Sequence, residues 1–360
     1  MAPLAPLFEF SYYTTAASLE APLGRPAGAL ERSATRCDSG IGYERFTMQV
    51  RKKWRPVSIP ERDLDLTQRA INALLFPIDL SLGEYAHGYV VRRSTLSNAI
   101  PHVGARYLQK FDIKDFFPSI TTSAIANALV GAGFGGEAAT LLARLVSCDS
   151  KLPLGARTSP RISNLMLREF DQSMGALASA RSLIYTRFAD DLSFSGRMPF
   201  DISADVETAL RPQGFELNVA KSKSFKRGQP MFVTGLSISD DVRPRVRRRF
   251  KARLRQEFYF VQKFGVVGHG TATGDPDERR VSSGIMGRFH YARMIEPDFT
   301  DALQARYPDA YRTLIPTRAD DRIERVQRYR SEFLAAVHAA PTLALPFYEP
   351  STSLGLTATT

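Results

Sequence analysis

From Tyr43 onward the apolar positions fall into short, punctuated runs. YERFTMQVRKKWRPVSIP (residues 43–60) alternates in places and carries basic residues, which predicts a β-hairpin. DLDLTQRAINALLFPIDL (63–80) spaces its apolar residues helically, with Asp63 as the cap. YLQKFDIKDFFPSI (107–120) opens as a strand ending at Asp112, and SAIANALVGAGF (123–134) reads as a helix stopped by glycines. RISNLMLREFDQSMGALA (161–178) is helical, with Pro160 near its start. SLIYTRFADDLSFSG (182–196) predicts two short strands around a tight turn. DVETALRPQGF (205–215) predicts a helix ending at Gly214, and LNVAKSKSF (217–225) another strand. Strand, helix, helix, hairpin, helix, strand is the order of an α+β domain with helices packed on one face of an antiparallel sheet.

The flanks differ. Residues 1–40 are rich in Ala, Pro, Ser and Thr with weak periodicity, and read as a loosely held arm with one short helix. RVRRRFKARLRQEFYFVQKFG (245–265) predicts a basic amphipathic helix, followed by helical stretches at 285–295 and 322–340. A small, basic, all-helical second domain therefore begins near Arg243. Residues 341–360 read as a flexible tail.

The 360 residues carry 48 Lys+Arg against 37 Asp+Glu, a net charge of +11. That excludes an acidic disordered chain and favours a polyanionic partner, most simply nucleic acid. The excess is local: residues 221–255 hold twelve Lys/Arg and two Asp. Without a polyanion such a stretch would repel itself. Two cysteines, Cys37 and Cys148, exclude a disulfide scaffold and a cysteine zinc finger, and read as reduced thiols in a cytosolic protein. No run of eighteen apolar residues and no basic-then-apolar leader is present, so neither a membrane span nor a secretory signal is expected.

The candidate chemistry lies in carboxylates. Asp112 ends an apolar strand; Asp190 and Asp191 sit at the tip of a predicted hairpin; Lys221 follows the next helix. Only a fold can bring Asp112 to a pair 78 residues away. Nucleotidyl transfer needs such a set, because two divalent ions roughly 3.5–4 Å apart can activate a hydroxyl and stabilise leaving pyrophosphate. Mg²⁺ takes hard oxygen ligands. Carboxylates from adjacent strands supply them, and the Ile113 carbonyl adds a further candidate ligand.

These motifs together resemble reverse transcriptases, specifically the bacterial retron type. FDIKDFFPSI is similar to the first catalytic motif of the palm, and LPLGARTSPRISNLMLREFD to the glycine turn and long helix that follow. YTRFADDLSFSG is similar to the Tyr-x-Asp-Asp motif and LNVAKSKSF to the Lys motif. NAIPH (Asn98 to His102) and VTG (Val233 to Gly235) resemble two shorter retron signatures. The likeness spans roughly residues 15–300. Leu154 stands where the family usually has Gln, Arg157 where it has Pro, and Phe188 where it has Tyr. These departures touch template preference, fidelity and rate, and leave the three carboxylates in place.

The resemblance implies a right-hand polymerase. Fingers and a ferredoxin-like palm would occupy residues 41–240 and a helical thumb residues 241–340. It assigns Asp112, Asp190 and Asp191 to two Mg²⁺ ions, for which Mn²⁺ would substitute. Arg51 and Arg55 would clamp the triphosphate, since charge-assisted donors suit phosphate oxygens. Asp115, Gly155 and Lys221 would line the nucleotide site. Phe117 would be the steric gate against a 2′-hydroxyl, with Phe116 a core aromatic. Asn98, His102, Val233, Thr234, Gly235, Arg247, Arg248 and Lys251 would recognise RNA.

The implied activity is RNA-directed DNA synthesis on a structured non-coding RNA. It starts from a guanosine 2′-hydroxyl and yields a branched RNA–DNA hybrid, in anti-phage defence with a separate effector protein. The rivals are a defence-associated reverse transcriptase that primes differently, and a maturase-like RNA-binding protein that no longer polymerises.

Overall fold

The computed structural model describes residues 10–50, 53–275 and 277–315. From Phe10 onward the segment read as a loose arm is built in. Turns of 3-10 helix at Phe10–Tyr12 and Ala17–Leu19 lead into helices α1 (Glu20–Leu23) and α2 (Ala27–Asp38). Phe10, Leu19, Leu23, Leu30 and Ala34 are buried in the main core. Phe10 stacks on Phe134 at 4.4 Å. Arg144 ties α2 down through Glu31 and Asp38, at 2.7 and 2.8 Å. Leu30, Ala34 and Cys37 recur at helical spacing along α2, while Phe10, Leu19 and Leu23 come from turns too short to show a period.

Strands β1 (Tyr43–Val50) and β2 (Lys53–Pro60) form the expected hairpin, with Phe46 opposite Val57 and Met48 opposite Arg55. Helix α3 (Arg62–Leu74) starts after Glu61, not after Asp63. Asp63 lies in its first turn, where its charge suits the positive end of the helix dipole. Pro77 stops the helix from running on, and Phe76–Leu80 is a separate short helix, α4. Helix α5 (Thr95–Ala99) carries the start of NAIPH.

The central sheet comprises β3 (Tyr107–Asp112), β4 (Ile184–Phe188), β5 (Asp191–Gly196) and β6 (Lys223–Lys226). Their order is β4-β5-β3-β6, antiparallel throughout. Between β3 and β4 come α6 (Phe116–Ser119), α7 (Thr122–Gly131), α8 (Gly136–Leu145), α9 (Ser159–Met166) and α10 (Arg168–Ala180). The sequence pattern missed α8 and ran α9 and α10 together across Leu167. Helix α11 (Ser203–Leu210) ends in a 3-10 turn with Gly214 left-handed at φ 78°, the stop that the glycine predicted. Phe111, Tyr185, Leu192 and Phe194 meet Phe170 and Met174 in the core under one sheet face.

A second hydrophobic cluster follows the sheet. The short hairpin β7 (Phe232–Val233) and β8 (Leu236–Ser237) leads to α12 (Arg248–Thr273), α13 (Glu278–Ile295), α14 (Pro297–Arg306) and α15 (Pro308–Leu314). Gly265, where the expected helix stops, is a kink inside α12 at φ 73°. Leu254, Phe258, Ile285, Phe289 and Leu314 pack with Ala99, Leu108, Met231 and Val233. The helices thus share a core with the far end of the sheet. The expected helix at 322–340 and the tail at 341–360 lie outside the described residues. Among the described residues no helix is long and apolar enough to cross a membrane.

Candidate active site

Asp112 is the last residue of β3 and Asp191 the first of β5, and they face each other across the ladder. Alternation along β3 puts Leu108, Lys110 and Asp112 on one face and Gln109 and Phe111 on the other. Phe111 points into the helical core, so Asp112 and Asp191 stand on the opposite face. Asp190 occupies the β4–β5 turn after Ala189, which is at φ 58°. The Asp190 carbonyl accepts the Ile113 N–H at 3.1 Å, extending the ladder past the strand ends.

Three carboxylates are thereby gathered at one end of the sheet. Burial pushes the Asp190 carboxyl up, and the negative charges of Asp112 and Asp191 push the same way, against Lys221. Two lysines offset the charge elsewhere. Lys221 Nζ is 2.6 Å from Asp112 Oδ1, and Lys110 Nζ is 3.3 Å from Asp191. The expected ligand set of Asp112, Asp190, Asp191 and Ile113 is not closed here. Among the described residues no three His, Cys, Asp or Glu side chains stand in ion-holding geometry. The donors still suit Mg²⁺, which uses one or two carboxylates and completes its shell with water and substrate phosphate. Lys221 is exposed but paired with Asp112, so its expected role at pyrophosphate requires it to leave that contact.

Around this end lie the other expected nucleotide contacts. Phe116 is in the core against Phe215 at 5.4 Å, while Phe117 is half-buried and faces Tyr89 at 6.4 Å. Asp115 is exposed at φ 44°, and its carbonyl accepts the Ser119 N–H at 2.9 Å. Arg55 is exposed on β2, with no ion-pair partner among the described residues; Arg51 lies outside them. Gly155 has φ 114°, and a Cβ there would stand 2.7 Å from Val57 Cγ1 and 2.9 Å from the Ser58 carbonyl. The close approach that Gly155 permits is thus made to the β2 strand. The Leu154 carbonyl accepts the Ser58 N–H at 2.8 Å. Arg157 pairs with Asp65, and its carbonyl accepts from Asn72 at 2.9 Å.

The profile of the reverse transcriptase (RNA-dependent DNA polymerase) family matches residues 44–239, which hold every element just described from the β1–β2 hairpin to the Lys221 turn. The chain belongs to this family. It is 34% identical over 230 residues to the retron Mx65 reverse transcriptase of Myxococcus xanthus, covering 56% of this chain and 54% of that protein. It is 28% identical over 234 residues to the retron Ec86 reverse transcriptase of Escherichia coli, covering 63% and 73%. The chain therefore spans about half the length of the first relative and about three quarters of the second. A telomerase from Candida tropicalis, solved with a fragment of telomeric RNA, matches 77% of this chain and 59% of its own at 10% identity, with a TM-score of 0.44.

What fixes the turn in this chain was not visible as a motif. Arg187 is fully buried in β4. It binds Asp171 through Nε and Nη2, reaches Asn164 Oδ1 at 3.0 Å and donates to the Ala189 carbonyl at 3.0 Å. Tyr185 adds a hydrogen bond to Asp171 at 2.7 Å. From outside, Ala86 bridges Arg187 in parallel, and Gly88 lies so close to the Phe188–Ala189 backbone that a Cβ would collide with it. Asn164 holds the Gly88 carbonyl at 3.0 Å.

The two retron signatures of this reverse transcriptase are structural partners. Asn98 and His102 are 1% and 0% exposed, which removes both side chains from contact with external RNA. His102 bridges Ser195 at 2.7 Å and Thr186 at 2.8 Å, bracing β5 and β4. Val233 is in the second core, and the Thr234 hydroxyl donates to the Thr95 carbonyl of α5 at 2.9 Å. Thr234 and Gly235 are both left-handed, at φ 46° and 86°, and make the β7–β8 turn. Of the expected basic contacts, Arg247 covers the Phe232 ring at 4.2 Å and donates to the Gly235 carbonyl. Lys251 is bound to buried Glu296 at 3.0 Å. Arg248 is exposed, with no ion-pair partner among the described residues.

Proposed function

We propose that this chain is an RNA-directed DNA polymerase of the retron type. It copies a cognate structured non-coding RNA into DNA joined to that RNA through a 2′-linkage. The observation that carries the reading is the gathering of Asp112, Asp190 and Asp191 at one sheet end beside the half-buried ring of Phe117. The substrates are deoxynucleoside triphosphates. The primer oxygen attacks the α-phosphorus, a new P–O bond forms, and the bond to pyrophosphate breaks. For the first nucleotide the attacking oxygen is a guanosine 2′-hydroxyl; afterwards it is the 3′-hydroxyl of the growing strand.

Asp112, Asp190 and Asp191 would hold two Mg²⁺ ions, with Mn²⁺ as substitute. When bound, these ions lower the pKa of the attacking hydroxyl and stabilise charge on the leaving group. Lys221, once off Asp112, neutralises pyrophosphate. Arg55, joined by Arg51, clamps the triphosphate. Phe117 lies beneath the sugar and excludes a 2′-hydroxyl. Arg248 and the exposed face of α12 track duplex phosphate, which positions without reading sequence. In its host the product serves anti-phage defence with a separate effector protein.

The test is on nucleic acid that co-purifies with the protein. Treatment with RNase and with debranching enzyme should each shift a short DNA on a denaturing gel. DNA without a branch would sink the 2′-priming, and bound RNA with no attached DNA would sink the polymerase reading. Substituting Asp190→Asn and Asp191→Asn together should abolish synthesis and spare RNA binding.

A further inference from the structure

Tyr89 belongs to none of the polymerase motifs, yet the fold delivers it to the same site. Gly88 is wedged against the Phe188–Ala189 backbone, so the next residue emerges at the rim of the turn that carries Asp190. The segment is held there by backbone. The His87 N–H donates to the Arg187 carbonyl at 2.7 Å, and the Arg187 N–H to the Tyr85 carbonyl at 2.8 Å. The Tyr89 backbone is at φ 65°, a conformation that a bulky side chain rarely adopts. Such outliers persist only where their surroundings over-determine them, and they concentrate at ligand sites.

The ring is placed to use that conformation. Its centroid is 6.4 Å from that of Phe117, with the planes tilted by 50°. The residue remains 50% exposed, so the ring contacts Phe117 and still presents surface, and after burial the Asp190 charge is close enough to push its hydroxyl pKa up. A surface tyrosine with no task would relax to negative φ; the segment leading into this one is pinned by the His87 and Tyr85 backbone hydrogen bonds and by Asn164 on the Gly88 carbonyl.

We propose that Tyr89 is a second specificity residue of the nucleotide site: its ring backs Phe117 and touches the sugar of the incoming nucleotide. The ligand is the ribose or deoxyribose ring of a nucleoside triphosphate. Selection against the 2′-hydroxyl then depends on two rings held at a fixed angle rather than on one. The inference rests on the reading of Phe117 as the sugar contact.

The test compares dNTP and rNTP incorporation by the full chain on an RNA template with a DNA primer. The variants are Tyr89→Phe, Tyr89→Leu, Tyr89→Ala and, for reference, Phe117→Ala. Tyr89→Phe should keep wild-type selection. Tyr89→Ala should raise the KM for dNTP and cut the dNTP-to-rNTP ratio by about tenfold, the scale of losing one apolar contact. Tyr89→Leu, which fills the space without a flat ring, should fall between and guards against a misfolded alanine variant, checked by thermal melting. Unchanged selection and KM in folded Tyr89→Ala, with selection lost in Phe117→Ala, would overturn the inference alone. An equal loss of kcat for both nucleotides would also overturn it and leave Tyr89 a brace for the turn. A wild-type chain that incorporates neither nucleotide would overturn the reading beneath it as well.

Discussion

Arg187 lies 2.6 Å from Asp171, with both side chains sealed from solvent, and the same guanidinium holds the carbonyl of Ala189 beside the paired aspartates. The pair is a positioning device, since neither residue reaches the open face of the sheet. Removing one partner leaves a buried charge uncompensated, so Arg187→Met should cost about 3–5 kcal/mol in urea denaturation. The double variant Arg187→Met with Asp171→Leu should recover most of that loss, because buried ion pairs exchange well for apolar groups of similar volume. Activity separates positioning from packing. The double variant still lacks the donor to Ala189, so its kcat should stay depressed with KM for dNTP little changed. Full recovery of kcat along with stability would show that the network only packs.

Asp190 is held in the fold at a cost in stability. Its carboxyl is raised by burial and by the neighbouring aspartates, so the folded state holds its proton to higher pH than the unfolded chain does. A raised carboxyl penalises the fold above its folded pKa, and the penalty vanishes below the unfolded value of about 3.9. Asp190→Asn should therefore be more stable than wild type at pH 7 without divalent ions. The difference should close as pH falls into the carboxylate range. Added Mg²⁺ should raise the melting temperature of wild type and not of the Asp190→Asn, Asp191→Asn double variant, because a ligand of the folded state stabilises it. Urea titrations at neutral and acidic pH, with and without Mg²⁺, check both statements.

The strand ending at Asp112, the hairpin around Asp190–Asp191 and the helix stopped at Gly214 were legible because each is set by local periodicity and turn chemistry. The three carboxylates followed from those elements. Asn164, Asp171 and Arg187 were not legible, since their polarity is satisfied by one another, by Tyr185 and by the Gly88 and Ala189 carbonyls, across two helices and a strand. Asn98 and His102 were visible as a pattern but assigned to the wrong environment. A polar residue in a signature reads as exposed until its surroundings are known: His102 is bound by Ser195 and Thr186, and Asn98 is buried beside it. Before Asp38 one short helix was expected; the 3-10 turns and α1 are too short for an apolar face to repeat, whereas α2 carries Leu30, Ala34 and Cys37 at helical spacing.

His102 brings a pH dependence of its own. It is fully buried, and burial, then the charges of His87 and Lys110, push its pKa down to about 3. The unfolded imidazole takes a proton near pH 6.5. Stability is therefore complete above that value and is lost as pH falls from about 6.5 toward about 3, as the unfolded chain gains a proton that the fold refuses. His102→Gln should lower stability at pH 7, by disturbing the bridge between Ser195 and Thr186, and should flatten the acid limb of a pH–stability curve. RNA affinity measured at fixed salt should not change in the variant that remains folded. A specific loss of affinity would return the residue to RNA recognition.

Arg248 and Lys251 stand three residues apart at the start of α12, yet their surroundings assign them different work. Lys251 shares Glu296 with Arg245, and Glu296 is only 4% exposed, so the ammonium is committed to an internal ion pair. Arg248 is exposed and free of such a partner among the described residues. If the basic face of α12 releases counterions from nucleic acid, Arg248→Ala should weaken binding uniformly across sequences and reduce the slope of log K against log salt by about one. Lys251→Ala should leave that slope unchanged and lower the denaturation midpoint instead, since Glu296 then loses one of its cations in a buried setting. Equal slope changes in the two variants would mean that Lys251 leaves Glu296 when nucleic acid binds. An unchanged slope in Arg248→Ala would move the phosphate track to another face of the helix.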